Sequence, residues 1–341
     1  MEEWKDYSKS LELYEKIEKI HKEYINEIKH CQTRTNCEKT ENCENCESCE
    51  NCENAEKAEN CESRSSYGKN RDIIKPSMYN YDVVNYYKDE LILKKKILEL
   101  SEDILTAINN IYDMFRLCKE NVFLSFNGGK DAVVILHLFR CAYAKYLYDV
   151  KSKIIKPKLI YFKDDTNEFP EIHQFVNECV YIYDFDINII NGKWETSITD
   201  FIEYIQKKYR DICINKLNIT QTNSSLLSTS IAFINGTRYN DTYSEKLHIL
   251  NVSSKGLPPY LYLNPIFYWT YGAVWTFILY FKLDYCILYD HGYSSIGSMD
   301  DTIKNEFLKC NNCYLPAYFL KNWEYERYNR RNNIFYPSPQ K

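Results

Sequence analysis

Three features of this 341-residue chain predict an α/β fold with a doubly wound, mainly parallel sheet and a helical N-terminal extension. Short apolar runs at 122–126, 158–162, 184–190 and 230–235 alternate with longer segments of helical period, the pattern of strands joined by crossover helices. Two of these runs end in glycine-containing turns, Asn127-Gly128-Gly129-Lys130-Asp131 and Gly236-Thr237-Arg238. In such sheets ligands bind beyond the carboxyl ends of the strands, where both turns fall.

Residues 1–30 place Leu11, Tyr14, Ile17, Ile20, Tyr24 and Ile28 near one stripe, which predicts a surface or docking helix. Residues 31–66 then form a near tandem of Cys-Glu-Asn triplets, with Cys43, Cys46, Cys49 and Cys52 at C-x-x-C spacing. Low hydrophobicity and repeated acid leave little to offset chain entropy, so this tract is expected to be disordered. Thiolates three apart also chelate zinc, but the tract has no apolar residues to organise a fold around a metal.

The main domain is expected over 79–335. It opens with a helix over 86–114 carrying the stripe Leu91, Ile92, Ile97, Leu98, Ile104 and Ile108, which leads into the 122–126 strand. A helix follows Asp131, the second strand covers 158–162, and Pro170 sits where proline is tolerated, in a first helical turn. Next come the 184–190 strand, an amphipathic helix over 196–209, a polar excursion over 215–228, and the 230–235 strand that ends near Gly236.

Hydrophobic residues make up 45% of the chain, enough for a sizeable core, and the net charge of −5 with no basic stripe opposes a nucleic-acid partner. No run approaches the roughly 20 apolar residues of a spanning helix, the nearest being 267–281, and the N-terminus lacks the apolar stretch of a signal peptide. The expectation is a soluble, cytoplasmic protein whose 14 cysteines are mostly reduced, with no membrane or obligate protein partner.

The glycine pair Gly128 and Gly129 permits a tight turn that exposes peptide N–H groups at a helix N-terminus, where the dipole favours an anion, and Lys130 adds a positive charge. The spacing is neither the Walker loop nor the G-x-G-x-x-G fingerprint. A bare strand-to-helix turn has the same glycines, and Asp131 in a first helical turn stabilises the dipole with or without a ligand. Arg327 and Arg330, three apart, would share a helix face and converge on phosphate, although 321–331 also reads as a solvated run of mixed charge. Asp164 and Asp165 suit ribose hydroxyls or plain loop polarity. His137 and His173 read as core or surface residues, and Cys310 with Cys313 is a second C-x-x-C.

The form Ser125-Phe126-Asn127-Gly128-Gly129-Lys130-Asp131 resembles the pyrophosphate loop of the N-type ATP pyrophosphatase and PAPS reductase superfamily, whose sheet is of the adenine-nucleotide α-hydrolase-like type. The Asn before the glycines and the Asp after the lysine resemble the eukaryotic FAD synthases. So do Gly236-Thr237-Arg238 with Asp241, Leu263-Asn264-Pro265 with Trp269-Thr270-Tyr271, the run from Ile287 through Asp290, Gly292 and Gly297 to Ser298, and Pro316-Ala317-Tyr318 with Glu326-Arg327 and Arg330.

The resemblance implies adenylyl transfer from ATP to FMN with Mg²⁺, held mainly through phosphates and not by protein ligands, and a C-terminal flavin-binding segment. It implies catalytic roles for Asn127, Asp131, Arg327 and Arg330. ATP would be bound by Leu124, Gly128, Gly129, Lys130 and Thr237, and FMN by Arg238, Asp241, Arg327 and Arg330. The chain departs from the family at Ser254 and Leu257, where Asp and Trp are usual, and at Leu315, where Arg is usual. Tyr260, Tyr262 and Tyr268 are the candidate replacements for the lost stacking surface. The alternatives are a PAPS reductase-like enzyme, whose E-C-G-x-H tail is absent, a tRNA-thiolation enzyme, and a non-catalytic nucleotide or flavin binder.

Overall fold

A computed structural model of the chain describes residues 3–38, 89–192, 194–217, 230–241 and 244–330. The N-terminal stripe folds as α1 (Tyr7–Glu38), burying Tyr14, Ile17 and Ile20. The helix runs past residue 30 and joins the main core instead of standing apart. Trp4 fastens its start, the indole donating to the Tyr183 carbonyl at 2.9 Å, and buried Arg140 pairs with Asp6. The Cys-Glu-Asn triplets beyond Glu38, the start of the domain near residue 79, and most of the polar 215–228 excursion lie outside the described residues.

Where one helix was expected over 86–114, the chain forms two, α2 (Glu90–Glu99) and α3 (Ser101–Cys118). The Asp89 side chain caps α2, accepting from the Leu91 and Ile92 N–H groups. Leu91 is 78% exposed, whereas Leu93, Ile97 and Leu98 are buried in α2 and Ile104 and Ile108 in α3. A single 3.6-residue stripe cannot serve both sets, and the break at Leu100 lets each helix turn its own face inward.

Alternation along the strands sorts the rest of the core. In β1 (Val122–Ser125), Val122 and Leu124 face the large cluster beneath α1, α3 and α4 (Lys130–Val150), while Phe123 faces the opposite side. The same division places Leu159 against Ile160 in β2 (Lys158–Lys163). After α5 (Pro170–Tyr183), Asp184 adopts a left-handed φ of 53° to end the helix, so β3 (Asp186–Asn191) starts later than expected. The far face is covered by α6 (Trp194–Leu217), whose Ile198, Phe201, Ile202 and Ile205 pack on Phe123, Ile160 and Phe233.

The sheet is completed by β4 (Ala232–Ile234), β5 (Leu250–Val252) and β6 (Leu261–Leu263), in the order β3-β2-β1-β4-β6-β5. All neighbours are parallel except β5 with β6. The connection from β3 through α6 to β4 carries the chain across to the other side of β1, so the strand order reverses between β1 and β4. That is where an open α/β sheet leaves a crevice. The 267–281 segment is α7 (Tyr271–Tyr280), ten residues long and largely buried against α2 and α4. No described helix is long and apolar enough to cross a membrane. The C-terminal part is a series of 3-10 turns with a small ribbon, β7 (Lys309–Cys310) paired with β8 (Cys313–Tyr314).

Candidate functional site

The turn after β1 is built around one glycine conformation. Gly128 has φ +71°, a conformation that strains any L side chain, and a Cβ there would press on Val176 at 3.2 Å and Ile172 at 3.3 Å of α5. Gly129 caps α4, and its N–H is held by the Asn127 carboxamide at 3.0 Å. Gly236 serves the adjoining turn: a Cβ would lie 3.1 Å from the Ala132 nitrogen, so the loop after β4 presses directly against the first turn of α4.

Beneath this turn lies a cluster of four charges. Lys130 is 2% exposed; its ammonium group lies 2.5 Å from Glu326 Oε1 and 3.1 Å from Asp131 Oδ2, with the rings of Tyr271 and Tyr289 beside it. Arg238, 1% exposed, reaches the same Glu326 oxygen at 2.5 Å and Asp131 Oδ1 at 2.7 Å. Burial alone would raise the Glu326 carboxyl, but Arg238 and Lys130 hold it down at about 2. For Arg238, burial works against the charge while Asp131 and Glu326 more than restore it. Two cations and two carboxylates thus face one another, with Lys130, Arg238 and Glu326 buried and Asp131 reaching the cavity wall.

Above the cluster is a cavity of about 560 Å³ at the carboxyl ends of β1, β2 and β4. Asn127, Gly129, Lys130, Asp131, Thr237, Asp241, Arg327 and Arg330 all border it, so eight of the residues singled out in the sequence share one wall system. Arg327 Nη1 donates to Asp241 Oδ1 at 2.8 Å, and the Arg238 N–H donates to Asp241 Oδ2 at 2.7 Å. Even so, burial first and the charge of Asp131 second push the Asp241 carboxyl up, against the pull of Arg238 and Arg327. Another cleft of about 220 Å³ lies between α5 and Asp284, but it is lined by Glu171, Glu178 and Asp284 with no cation, which opposes a phosphate there.

Several expectations change. Leu124 is 0% exposed with its backbone paired to both β2 and β4, so it does not border the cavity, which begins at Ser125. Arg238 is turned inward to Asp131 and Glu326 and does not reach the cavity. The Lys130 ammonium group is likewise spent on the buried cluster. Its N–H is taken by the Tyr289 hydroxyl at 2.9 Å and the Gly129 N–H by Asn127, so these two amides already have acceptors. Arg327 ends a 3-10 turn over Trp323–Arg327, so it shares no α-helix face with Arg330. Arg330 is placed separately, by a backbone bridge to Thr302 and a 2.5 Å contact from Nε to Asp301.

The exposed Ser254 and the half-buried Leu257 lie in the turn between β5 and β6, with the Leu257 N–H bonded to the Ser254 carbonyl. Tyr260 is core, packed edge-on to Phe233, and Tyr268 is 66% exposed against Tyr239 and Phe267. None of the three candidate tyrosines borders the cavity; its aromatic lining is Phe126, Phe162, Trp194 and Tyr289, with Phe162 and Trp194 in edge contact at 4.9 Å. Asp164 accepts from Thr166 as a turn former, and Asp165 pairs with Lys163. His137 is buried beside Arg140 and held well below its usual value, first by burial and then by that charge. Cys310 and Cys313 face each other across the β7–β8 ribbon as free thiols, and no group of three or more potential metal ligands occurs among the described residues.

Glu326 and Tyr289, not singled out from the residues alone, hold the site together. Both lie inside motifs of the family resemblance, which was their only signal.

A model of the phosphoadenosine phosphosulfate reductase domain matches residues 121–304. A probable FAD synthase of Schizosaccharomyces pombe is 31% identical over 219 residues, which is 63% of this chain and 73% of that protein. A probable FAD synthase of Caenorhabditis briggsae is 30% identical over 72% of this chain, which spans only 43% of that longer protein. Among solved structures, the Candida glabrata FMN adenylyltransferase in complex with FMN and the ATP analogue AMPCPP superimposes with a TM-score of 0.57, covering 73% of this chain and 93% of that one at 18% identity. That likeness shows the fold, a mainly parallel sheet with surrounding helices. The chain belongs to the phosphoadenosine phosphosulfate reductase domain family and, within it, to the FAD synthases.

Proposed function

We propose that this chain is an FMN adenylyltransferase, transferring AMP from ATP to the phosphate of FMN to give FAD and pyrophosphate. The observation that carries this reading is one cavity bordered both by the glycine turn at the start of α4 and by Arg327 and Arg330. Membership of the FAD synthase family supports it.

An FMN phosphate oxygen attacks the α-phosphorus of ATP; the new P–O bond forms as the bond to the β-phosphate oxygen breaks, and the electron pair leaves with pyrophosphate. The second pKa of a phosphate monoester is near 6, so the nucleophile is already largely ionised at neutral pH and no side chain has to take its proton. The residues therefore position and stabilise charge. In this reading the Asn127–Gly129 turn and the α4 N-terminus receive the ATP phosphates, which compete with Asn127 and Tyr289 for the Gly129 and Lys130 amides. Thr237 borders the nucleotide, while Arg327 and Arg330 converge on the FMN phosphate beside Asp241. Lys130 and Arg238 act from below, holding Asp131 in the cavity wall.

Asp131 and Asp241 are two cavity carboxylates whose charges repel, and among the described residues no third ligand joins them. Their oxygens already face Lys130, Arg238 and Arg327, so Mg²⁺ would be held mainly through the substrate phosphates, with these carboxylates at most meeting its waters. When bound, it neutralises phosphate charge. The proposed setting is the cytoplasm, where cysteines are kept reduced. The proposed partners are small molecules alone, with no nucleic acid, membrane or obligate protein.

Purified protein given FMN, ATP and Mg²⁺ should lose flavin fluorescence and release one pyrophosphate per FAD. Binding of ATP without either signal would overturn the enzyme reading in favour of a nucleotide-binding protein.

A further inference from the structure

Glu326 touches two of the segments building the site and forms part of a third. Its Oε1 contacts the Lys130 ammonium group from the start of α4 and the Arg238 guanidinium from the loop after β4, each at 2.5 Å. Its own main chain belongs to the 3-10 turn that delivers Arg327, and its carbonyl accepts the Ser294 hydroxyl at 2.6 Å. The carboxylate is buried and does not border the cavity. It therefore touches no substrate.

Bulk charge balance alone does not demand this geometry. A carboxylate elsewhere near Lys130 and Arg238 would offset them equally well, but it would not tie the arginine-bearing turn to the phosphate turn. With the Glu326 backbone anchored by Ser294, the side chain has one length at which its oxygen meets both cations. We infer that Glu326 is a positioning residue: it sets the distance between the ATP-binding turn and the Arg327–Arg330 segment that faces the second phosphate. This inference rests on the adenylyl-transfer reading for the identity of the two substrates, but its geometric content does not.

The test uses the full chain with Glu326→Asp and Glu326→Gln. Asp keeps the charge and shortens the reach by one methylene; Gln keeps the length and removes the charge. In Glu326→Asp, kcat/KM for FMN should fall about tenfold to a hundredfold, as for a roughly 1 Å misplacement, while the affinity for AMPCPP stays within about threefold. Hydrogen exchange on the ligand-free protein supplies the readout that needs no activity. The amides of Tyr328 and Arg330, bonded to the Tyr325 and Arg327 carbonyls, should exchange faster in Glu326→Asp, while those in the middle of α4 stay unchanged.

Exchange at Tyr328 and Arg330 matching the wild type, or full kcat/KM in Glu326→Asp, would overturn the inference and leave Glu326 a counter-charge. If Glu326→Gln does not fold, Glu326→Asp still decides. If the wild type forms no FAD, the functional reading fails, and the exchange result alone judges the positioning role.

Discussion

Adding one methyl group at Gly297 isolates the contribution of Arg330. A Cβ at this position would lie well inside van der Waals contact with the Arg330 guanidinium carbon and Nη2, and 2.5 Å from Nη1. Ordinary contacts start near 3.5 Å, so the guanidinium must retreat by about 1 Å or more. Gly297 is not among the glycines with positive φ, so alanine brings no backbone strain. The change should even gain about 0.4–1 kcal/mol by restricting the unfolded chain.

Against this stands the contact between Arg330 and Asp301, whose side chains keep 16% and 11% exposure. A retreat of about 1 Å weakens but does not remove this mostly buried pair, at a cost of about 1–3 kcal/mol, below the roughly 3–5 kcal/mol of losing a partner outright. The net loss is at most about 2–3 kcal/mol, and the melting temperature of Gly297→Ala should fall by no more than about 6 °C. Loss of a charge-assisted contact to a phosphate costs about 1.5–3 kcal/mol, which is about a 10- to 150-fold fall in kcat/KM for FMN. Steady-state kinetics with FMN varied, together with a melting curve, give both numbers. Unchanged kcat/KM would refute a phosphate contact for Arg330, and a parallel collapse of stability would refute the separation of structural from functional cost.

Tyr289→Phe removes the buried acceptor of the Lys130 N–H and should destabilise the free protein by about 1–3 kcal/mol; because a bound phosphate can take over that amide, ATP should raise the melting temperature more in the variant than in wild type, and equal shifts would contradict the competition. The Glu326 carboxyl is held at about 2 against an ordinary 4.5, so its stabilisation is fully present above 4.5 and is lost as the pH falls toward 2. Denaturant titrations from pH 6 to pH 3 should show a steeper loss for wild type than for Glu326→Gln, and parallel curves would remove Glu326 from the acid response. Deleting residues 39–66 should leave turnover within about twofold, since every cavity-lining residue lies between Ser125 and Arg330; a large loss, restored by zinc, would give Cys43, Cys46, Cys49 and Cys52 a metal role.

The features that local chemistry controls could be read from the chain. The β1 run, the Gly128 turn, Pro170 at the head of α5 and the β4 run ending before Gly236 are each decided by a few neighbouring residues. The inward direction of charged side chains could not be read in this way. Lys130 beside two glycines looks like a phosphate ligand, and only a carboxylate 196 residues away in the chain turns it into a buried strut. Arg238 is redirected by the same Glu326, 88 residues on. Tyr289, 159 residues from Lys130, caps an amide that the local pattern leaves open. Tyr260 was a candidate for stacking because it is aromatic near a flavin motif, but strand alternation commits it to the Phe233 face. The break at Leu100 escaped periodicity because both helices carry apolar residues at helical spacing and only their packing distinguishes the faces.

The central claim is that phosphate, carried by FMN, is the nucleophile on the α-phosphorus of ATP. The direct measurement is a label transfer with ATP labelled at the α-phosphate, run in parallel with FMN and with riboflavin. The label should enter a flavin dinucleotide with FMN and enter no flavin with riboflavin, and γ-labelled ATP should yield labelled pyrophosphate alone. Label from the γ-phosphate entering riboflavin, or no transfer to FMN by protein that binds both substrates, would contradict the account.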